Sequence, residues 1–115
     1  MNTTSPPQTP QRFGLPEHAI QAIQQVLAAH PEVEQAVVYG SRALGRQRPA
    51  SDIDLTLIGP AISFNTLAQI EAELDALLLP WMIDLSRLAD LSHPPLRDHV
   101  ERVGQVLYCR EDGPD

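Results

Sequence analysis

The stretch GSRALGRQRPASDID, residues 40–54, places a glycine–serine pair ten residues ahead of two aspartates that flank one isoleucine. On a strand, residues i and i+2 share a face and lie about 6.6 Å apart. Asp52 and Asp54 therefore aim together, while Ile53 and Leu55 face a core. Two close carboxylates raise one another's pKa unless something positive intervenes. A hard divalent cation is the natural partner, because Mg²⁺ prefers oxygen ligands and keeps open positions for phosphate. Two such ions about 4 Å apart can clamp both ends of an in-line displacement. Taken alone, the two aspartates read as a solvated strand end. A third acid, Asp84, shifts that balance: it stands in WMIDLS, an otherwise apolar run, where acids are rarely placed unless paired or coordinating. If that run neighbours residues 53–58, all three acids converge.

Gly40 permits a tight turn and close approach of a ligand to the backbone. Ser41 can cap a helical turn through Leu44 and offer its hydroxyl to a phosphate, and N–H groups at a helix start attract anions. The pair by itself is an ordinary turn. It is not a Walker loop, since that motif's second glycine and lysine are missing. The spacing is more telling than its parts, arising by chance about once in a thousand chains of this length at average residue usage. Arg42, Arg46 and Arg48 make residues 40–48 locally basic, which suits a small anionic ligand. Arg42, beside the serine, is the arginine expected to touch phosphate. His18, His30, His93 and His99 show no metal-ligand spacing, and His99 reads as a packing or surface residue. Trp81 reads as core or rim, and Cys109 as buried or at an edge, with no chemistry attached.

The elements that must position these residues follow from periodicity. Pro16 suits a first helical turn, and Ala19, Ile20, Ile23, Val26 and Leu27 fall on one helical face that Pro31 ends. Val33 to Tyr39 predicts a buried strand. IDLTLI (53–58) alternates in strand fashion and stops at Gly59-Pro60. Leu67, Ile70, Leu74, Leu77 and Leu78 mark a second helix ended by Pro80. WMIDLSRL (81–88) is a third strand, Pro94-Pro95 start a short helix broken at Gly104, and QVLY (105–108) is a last strand. The order predicts a small α/β (α+β) layer, a sheet of about four strands with helices packed on it. Residues 1–12 read as a disordered tail, 13–110 as one domain and 111–115 as a C-terminal tail.

The 115 residues suffice for one domain, which needs no disulfide to fold. A single cysteine, a polar proline-rich start and no long apolar run predict a cytoplasmic protein without membrane association. Fifteen acidic residues against eight arginines give a net charge of −7. That balance argues against direct nucleic-acid binding, which needs basic surface to displace counterions.

The segments FGLPEHAI, YGSRAL, SDIDL, LLLPWMIDLS and HPPLRDHVERVGQVLY together resemble the minimal nucleotidyltransferases of the DNA polymerase β-like superfamily. The hallmark of that superfamily is Gly-Ser, ten residues, Asp-x-Asp and a later third aspartate. The likeness runs from about Phe13 to Tyr108. It implies a nucleotidyltransferase fold with a mixed sheet, in which Gly40, Ser41 and Arg42 hold nucleotide phosphates. Asp52, Asp54 and Asp84 would bind two Mg²⁺ ions (Mn²⁺ as the alternative) and serve as the catalytic carboxylates. The implied reaction moves a nucleoside monophosphate, expected to be AMP from ATP, onto an acceptor hydroxyl. Small members of this kind are accompanied by a separate all-helical protein, either a substrate-binding subunit or a HEPN-type ribonuclease toxin. In the toxin pairs the small protein is an antitoxin that adenylylates its partner. The rival expectation is a non-catalytic antitoxin or binding subunit that masks a HEPN-type partner by contact.

Overall fold

The computed structural model describes residues 12–110. The expected tails at 1–12 and 111–115 lie outside the described residues, apart from Arg12.

Helix α1 (Glu17–Ala28) begins after Pro16, which sits in extended geometry at its N-cap, and buries Ala19, Ile20, Ile23 and Leu27. Glu17 in the first turn suits the positive helix end and pairs with Arg12 at 2.9 Å. Strand β1 (Gln35–Tyr39) leads through Gly40 into one helical turn, α2 (Ser41–Leu44). Then come β2 (Ile53–Ile58), α3 (Phe64–Asp75), β3 (Ile83–Arg87), α4 (Pro94–Val103) and β4 (Gln105–Cys109). A 3-10 turn at Leu88–Asp90 joins β3 to the approach of α4.

The second helix differs from its expected span. It starts at Phe64, capped by Ser63, whose hydroxyl accepts from the Thr66 N–H at 3.1 Å. It ends at Asp75, so Leu77 and Leu78 lie beyond it. Pro80 disfavours helical geometry at Leu79, and the chain turns one residue earlier, with Leu78 at φ 55°.

The sheet order is β3-β2-β1-β4. β1 runs antiparallel to both β2 and β4, and β2 runs parallel to β3. A parallel pair needs a crossover, and α3 supplies it. The result is an α+β fold: among the described residues, an open mixed sheet of four strands with four helices. One sheet face carries Ala36, Val38, Ile53, Leu55 and Leu57, packed with Ile20, Ile23 and Leu27 of α1 and Ile70 and Leu74 of α3. The other face carries Val37 and Tyr39 under Val100 and Leu96 of α4. That second cover is smaller, and it leaves part of the face open for polar residues. Among the described residues no helix is long and apolar enough to cross a membrane.

Leu55 is fully buried in the middle of β2, directly behind the aspartates. Leu55→Ala is expected to lower stability by about 2–5 kcal/mol, read as a lower urea midpoint with an unchanged denaturant slope.

Candidate active site

Strand register brings together residues that are far apart in sequence. Tyr39 pairs with Asp54 across β1 and β2, and Asp54 pairs with Asp84 across β2 and β3. The three form one row on the α4 side of the sheet, because Ile53, Leu55 and Ile83 on either side of the aspartates pack into the opposite core. Asp52 stands just before β2 and is exposed. The Ile53 N–H donates to the Met82 carbonyl at 2.8 Å, so the entries to the two acidic strands are tied together. In the next row, Ser86 donates to the Thr56 hydroxyl at 3.0 Å.

The charges of this row act on one another. Burial raises the Asp54 pKa above the ordinary carboxylate range, and the negative charges of Asp84 and Asp52 raise it further. Burial also raises the Tyr39 pKa, and the charges of Asp54 and Asp84 add to that push. Among the described residues, none of the three aspartates takes part in an ion pair. Nor is any group of three or more His, Cys, Asp or Glu side chains drawn together tightly enough to hold a metal ion. The donor set is nonetheless what a hard cation takes, carboxylate oxygens, and the charges of Asp84 and Asp52 are felt at Asp54. Strand register makes Asp54 and Asp84 neighbours, with Asp52 exposed at the entry to β2.

The turn above this row is built around Gly40, at φ 74° and ψ −153°, a region open essentially to glycine alone. A Cβ at this position would collide with the Asp54 carboxylate. Glycine is therefore required twice, by the backbone and by the acid lying against it. The Gly40 carbonyl accepts from the Ala43 and Leu44 N–H groups at 3.1 and 3.2 Å, which closes α2. Gly45, at φ 72°, ends that turn. Ser41 is half-buried at its start.

Arg42 has a different occupation from the phosphate contact expected of it. Its side chain is only 2 % exposed. Nε and Nη2 donate to the Ser51 carbonyl at 3.1 and 2.8 Å, and Nη1 donates to the Phe13 carbonyl at 2.8 Å. Nη2 also reaches the Pro49 carbonyl at 3.4 Å, and the Trp81 Nε1–H donates to that same oxygen at 2.8 Å. The guanidinium lies 5.8 Å from the centre of the Trp81 ring. Burial lowers its pKa, and the nearby Asp52 partly restores it. Arg42 thus braces the 45–52 loop that delivers the first two aspartates. Arg46 and Arg48 remain exposed.

His99, expected to pack or to lie at the surface, is half-buried and makes in addition a hydrogen bond that its place in the sequence does not announce. From α4 its Nε2 accepts the Gly40 N–H at 3.1 Å, and its ring meets that of Tyr39 edge-on, with centroids 6.3 Å apart. The one available signal was its place beside Val100 on the apolar stripe of the last helix. That stripe does not say which turn the helix crosses.

The family described as Polymerase beta, Nucleotidyltransferase matches residues 21–113. Among solved structures, a toxin–antitoxin complex with AMP-PNP contains a chain similar to this one at 22 % identity and TM-score 0.65. That match covers 80 % of this chain and 74 % of the other. A tri-AMPylated Shewanella oneidensis HEPN toxin in complex with MNT antitoxin matches at 19 % identity and TM-score 0.61, over 81 % of this chain and 71 % of that one. An MntA-HepT toxin–antitoxin complex matches at 19 % identity and TM-score 0.60, covering 81 % and 72 %. At these identities the likeness is one of fold. No curated protein matches the chain.

Two outcomes follow from the site's geometry. Gly40→Ala is expected to lower stability by about 1–3 kcal/mol and to displace the Asp54 carboxylate, measured by thermal unfolding and by the chemical shifts of Asp54. The raised Asp54 pKa carries a definite sign. The folded state holds that proton more tightly than the unfolded chain, so the group favours folding at acidic pH. It withdraws that contribution as pH rises from the ordinary carboxylate range through the raised value. Asp54→Asn is accordingly expected to raise the unfolding midpoint of the metal-free protein at neutral pH and to flatten its pH dependence in that window.

Proposed function

Because the chain belongs to the polymerase beta nucleotidyltransferase family, we propose that it transfers AMP from ATP to a hydroxyl on a helical partner protein of the HEPN toxin type. The observation that carries this reading is the registered pair Asp54 and Asp84 on adjacent parallel strands, lying beneath a glycine turn that packs directly on Asp54. Acids at matching positions of neighbouring strands repel one another, and a family that handles metal-bound triphosphates gives that arrangement a use. The toxin–antitoxin complexes of like fold, one with AMP-PNP and one with a tri-AMPylated toxin, support the choice of nucleotide and of partner.

In this reading Asp52, Asp54 and Asp84 would hold two Mg²⁺ ions, which when bound would supply charge neutralisation on the triphosphate and activation of the acceptor hydroxyl. The chain's own residues orient the reactants. Ser41 and the backbone of its turn hold the phosphates, and Arg42 acts at one remove by fixing the loop that carries Asp52. The acceptor oxygen forms a bond to the α-phosphorus as the bond to the bridging oxygen breaks, and pyrophosphate leaves. Asp84, exposed on the edge strand, is open to the acceptor side and takes the hydroxyl proton. The chemistry asks for position and charge neutralisation above all. No basic groove is needed, which fits the net charge of −7.

The test is incubation of the purified chain and its partner with α-labelled ATP and Mg²⁺. Label should pass to the partner, and Asp52→Asn or Asp54→Asn should reduce transfer by at least a hundredfold while leaving the complex intact on gel filtration. Partner binding by the wild type with no transfer under these conditions would identify instead a subunit that masks its partner by contact.

A further inference from the structure

Side chains from beyond the motif reach the nucleotide turn and its helix: Gln105 of β4 donates from Nε2 to the Ala43 carbonyl at 2.8 Å, and His99 reaches Gly40 itself. His99 sits on α4, forty-five residues beyond Asp54 in sequence. Its Nε2 takes the Gly40 N–H at 3.1 Å. Accepting that proton requires the ring's own N–H to be on Nδ1. The ring is held from two further directions: its edge meets Tyr39, and the next residue, Val100, is buried against Val37 and Tyr39.

The bond matters because of where Gly40 sits. The glycine is in a backbone region with little intrinsic restraint, and residues in such regions persist only when their surroundings over-determine them. Its carbonyl is committed to closing α2, which leaves the N–H as the other handle by which the turn can be set. With His99 on that handle, Gly40 N–H is withdrawn from any anion, and the donors left at the turn are the Ser41 hydroxyl and the first N–H groups of α2, which have no intrahelical acceptor.

We propose that His99 is a positioning residue for the nucleotide: by accepting the Gly40 N–H it holds the Gly40–Ser41 turn in the geometry that receives the triphosphate. This rests on the nucleotidyltransferase reading above and adds to it a residue of this chain's last helix. His99 touches neither phosphate nor acceptor, so its removal weakens nucleotide binding and leaves the chemical step nearly intact. A residue that merely filled space would not give that split, and its loss would not be repaired by a different side chain with an acceptor at the same reach.

The experiment compares wild type with His99→Leu, which keeps bulk and loses the acceptor, and His99→Gln, whose amide oxygen can reach the Nε2 position. Two quantities are read: hydrogen exchange of the Gly40 amide without ligand, and affinity for α,β-methylene ATP with Mg²⁺ by calorimetry. The Leu variant is expected to lose Gly40 protection and to bind the analogue about five- to tenfold more weakly, the size of one hydrogen bond. In transfer assays its KM for ATP should rise by the same factor with kcat within about twofold. Gln should restore both protection and affinity. If the Leu variant does not fold, His99→Asn, too short to reach Gly40, takes its place with the same expectations. Wild type and the acceptor-free variant binding the analogue equally would overturn the positioning role alone, as would a Gln variant that regains protection without regaining affinity. A wild-type protein that binds no analogue would overturn the nucleotidyltransferase reading, and this inference with it.

Discussion

The rest of the structure depends on holding like charges side by side. Asp54 sits half-buried between Asp84 on one strand and Asp52 two residues upstream, and each neighbour pushes its pKa further up. Left to local preference, these acids would part. They stay because β2 is anchored from behind by Ile53, Leu55 and Leu57, all buried in the main core. Ladder hydrogen bonds to β1 and β3 on either side hold it as well. A one-residue slip of β2 would send those three apolar side chains to the other face, so the hydrophobic pattern fixes the acids in place as firmly as it fixes the core.

The turn and the loop around the acids follow from the same need. Gly40 has no side chain because the Asp54 carboxylate occupies that space. Arg42 gathers the carbonyls of Phe13, Pro49 and Ser51, which gives a proline-containing loop with no regular structure a defined path into Asp52. A buried guanidinium is costly unless its donors are satisfied, and here the backbone satisfies them. Trp81 closes the arrangement by sharing the Pro49 carbonyl. The motif's ten-residue spacer is thus a folded part of the site, held from inside by its own first residue.

The two faces of the sheet divide the work. Helices α1 and α3 cover one face with a continuous apolar layer. Helix α4 covers only part of the other, through Val100 and Leu96. Beside that cover the same face carries Asp54 and Ser86, half-buried, and Asp84, exposed, next to the buried Tyr39 and Thr56. Single-sided covering of this sort leaves room for a charged ligand beside a core that stays dry.

Element order was legible from periodicity alone, as were the strand carrying Asp54, with Asp52 at its entry, the strand carrying Asp84, and the glycine-serine turn, because alternation and proline or glycine punctuation are local properties. The end of α3 was misplaced by the leucines at 77 and 78, whose spacing continues a helical stripe that Pro80 cuts short. What only tertiary structure decided were matters of reach. A sequence shows that Arg42 neighbours a serine, and it cannot show that the guanidinium folds inward to three carbonyls. It shows a histidine beside Val100, and it cannot show that α4 crosses β1 at Gly40. Charge and period are written along the chain, whereas the direction of a long side chain and the crossing of two distant elements are set only when the whole core packs.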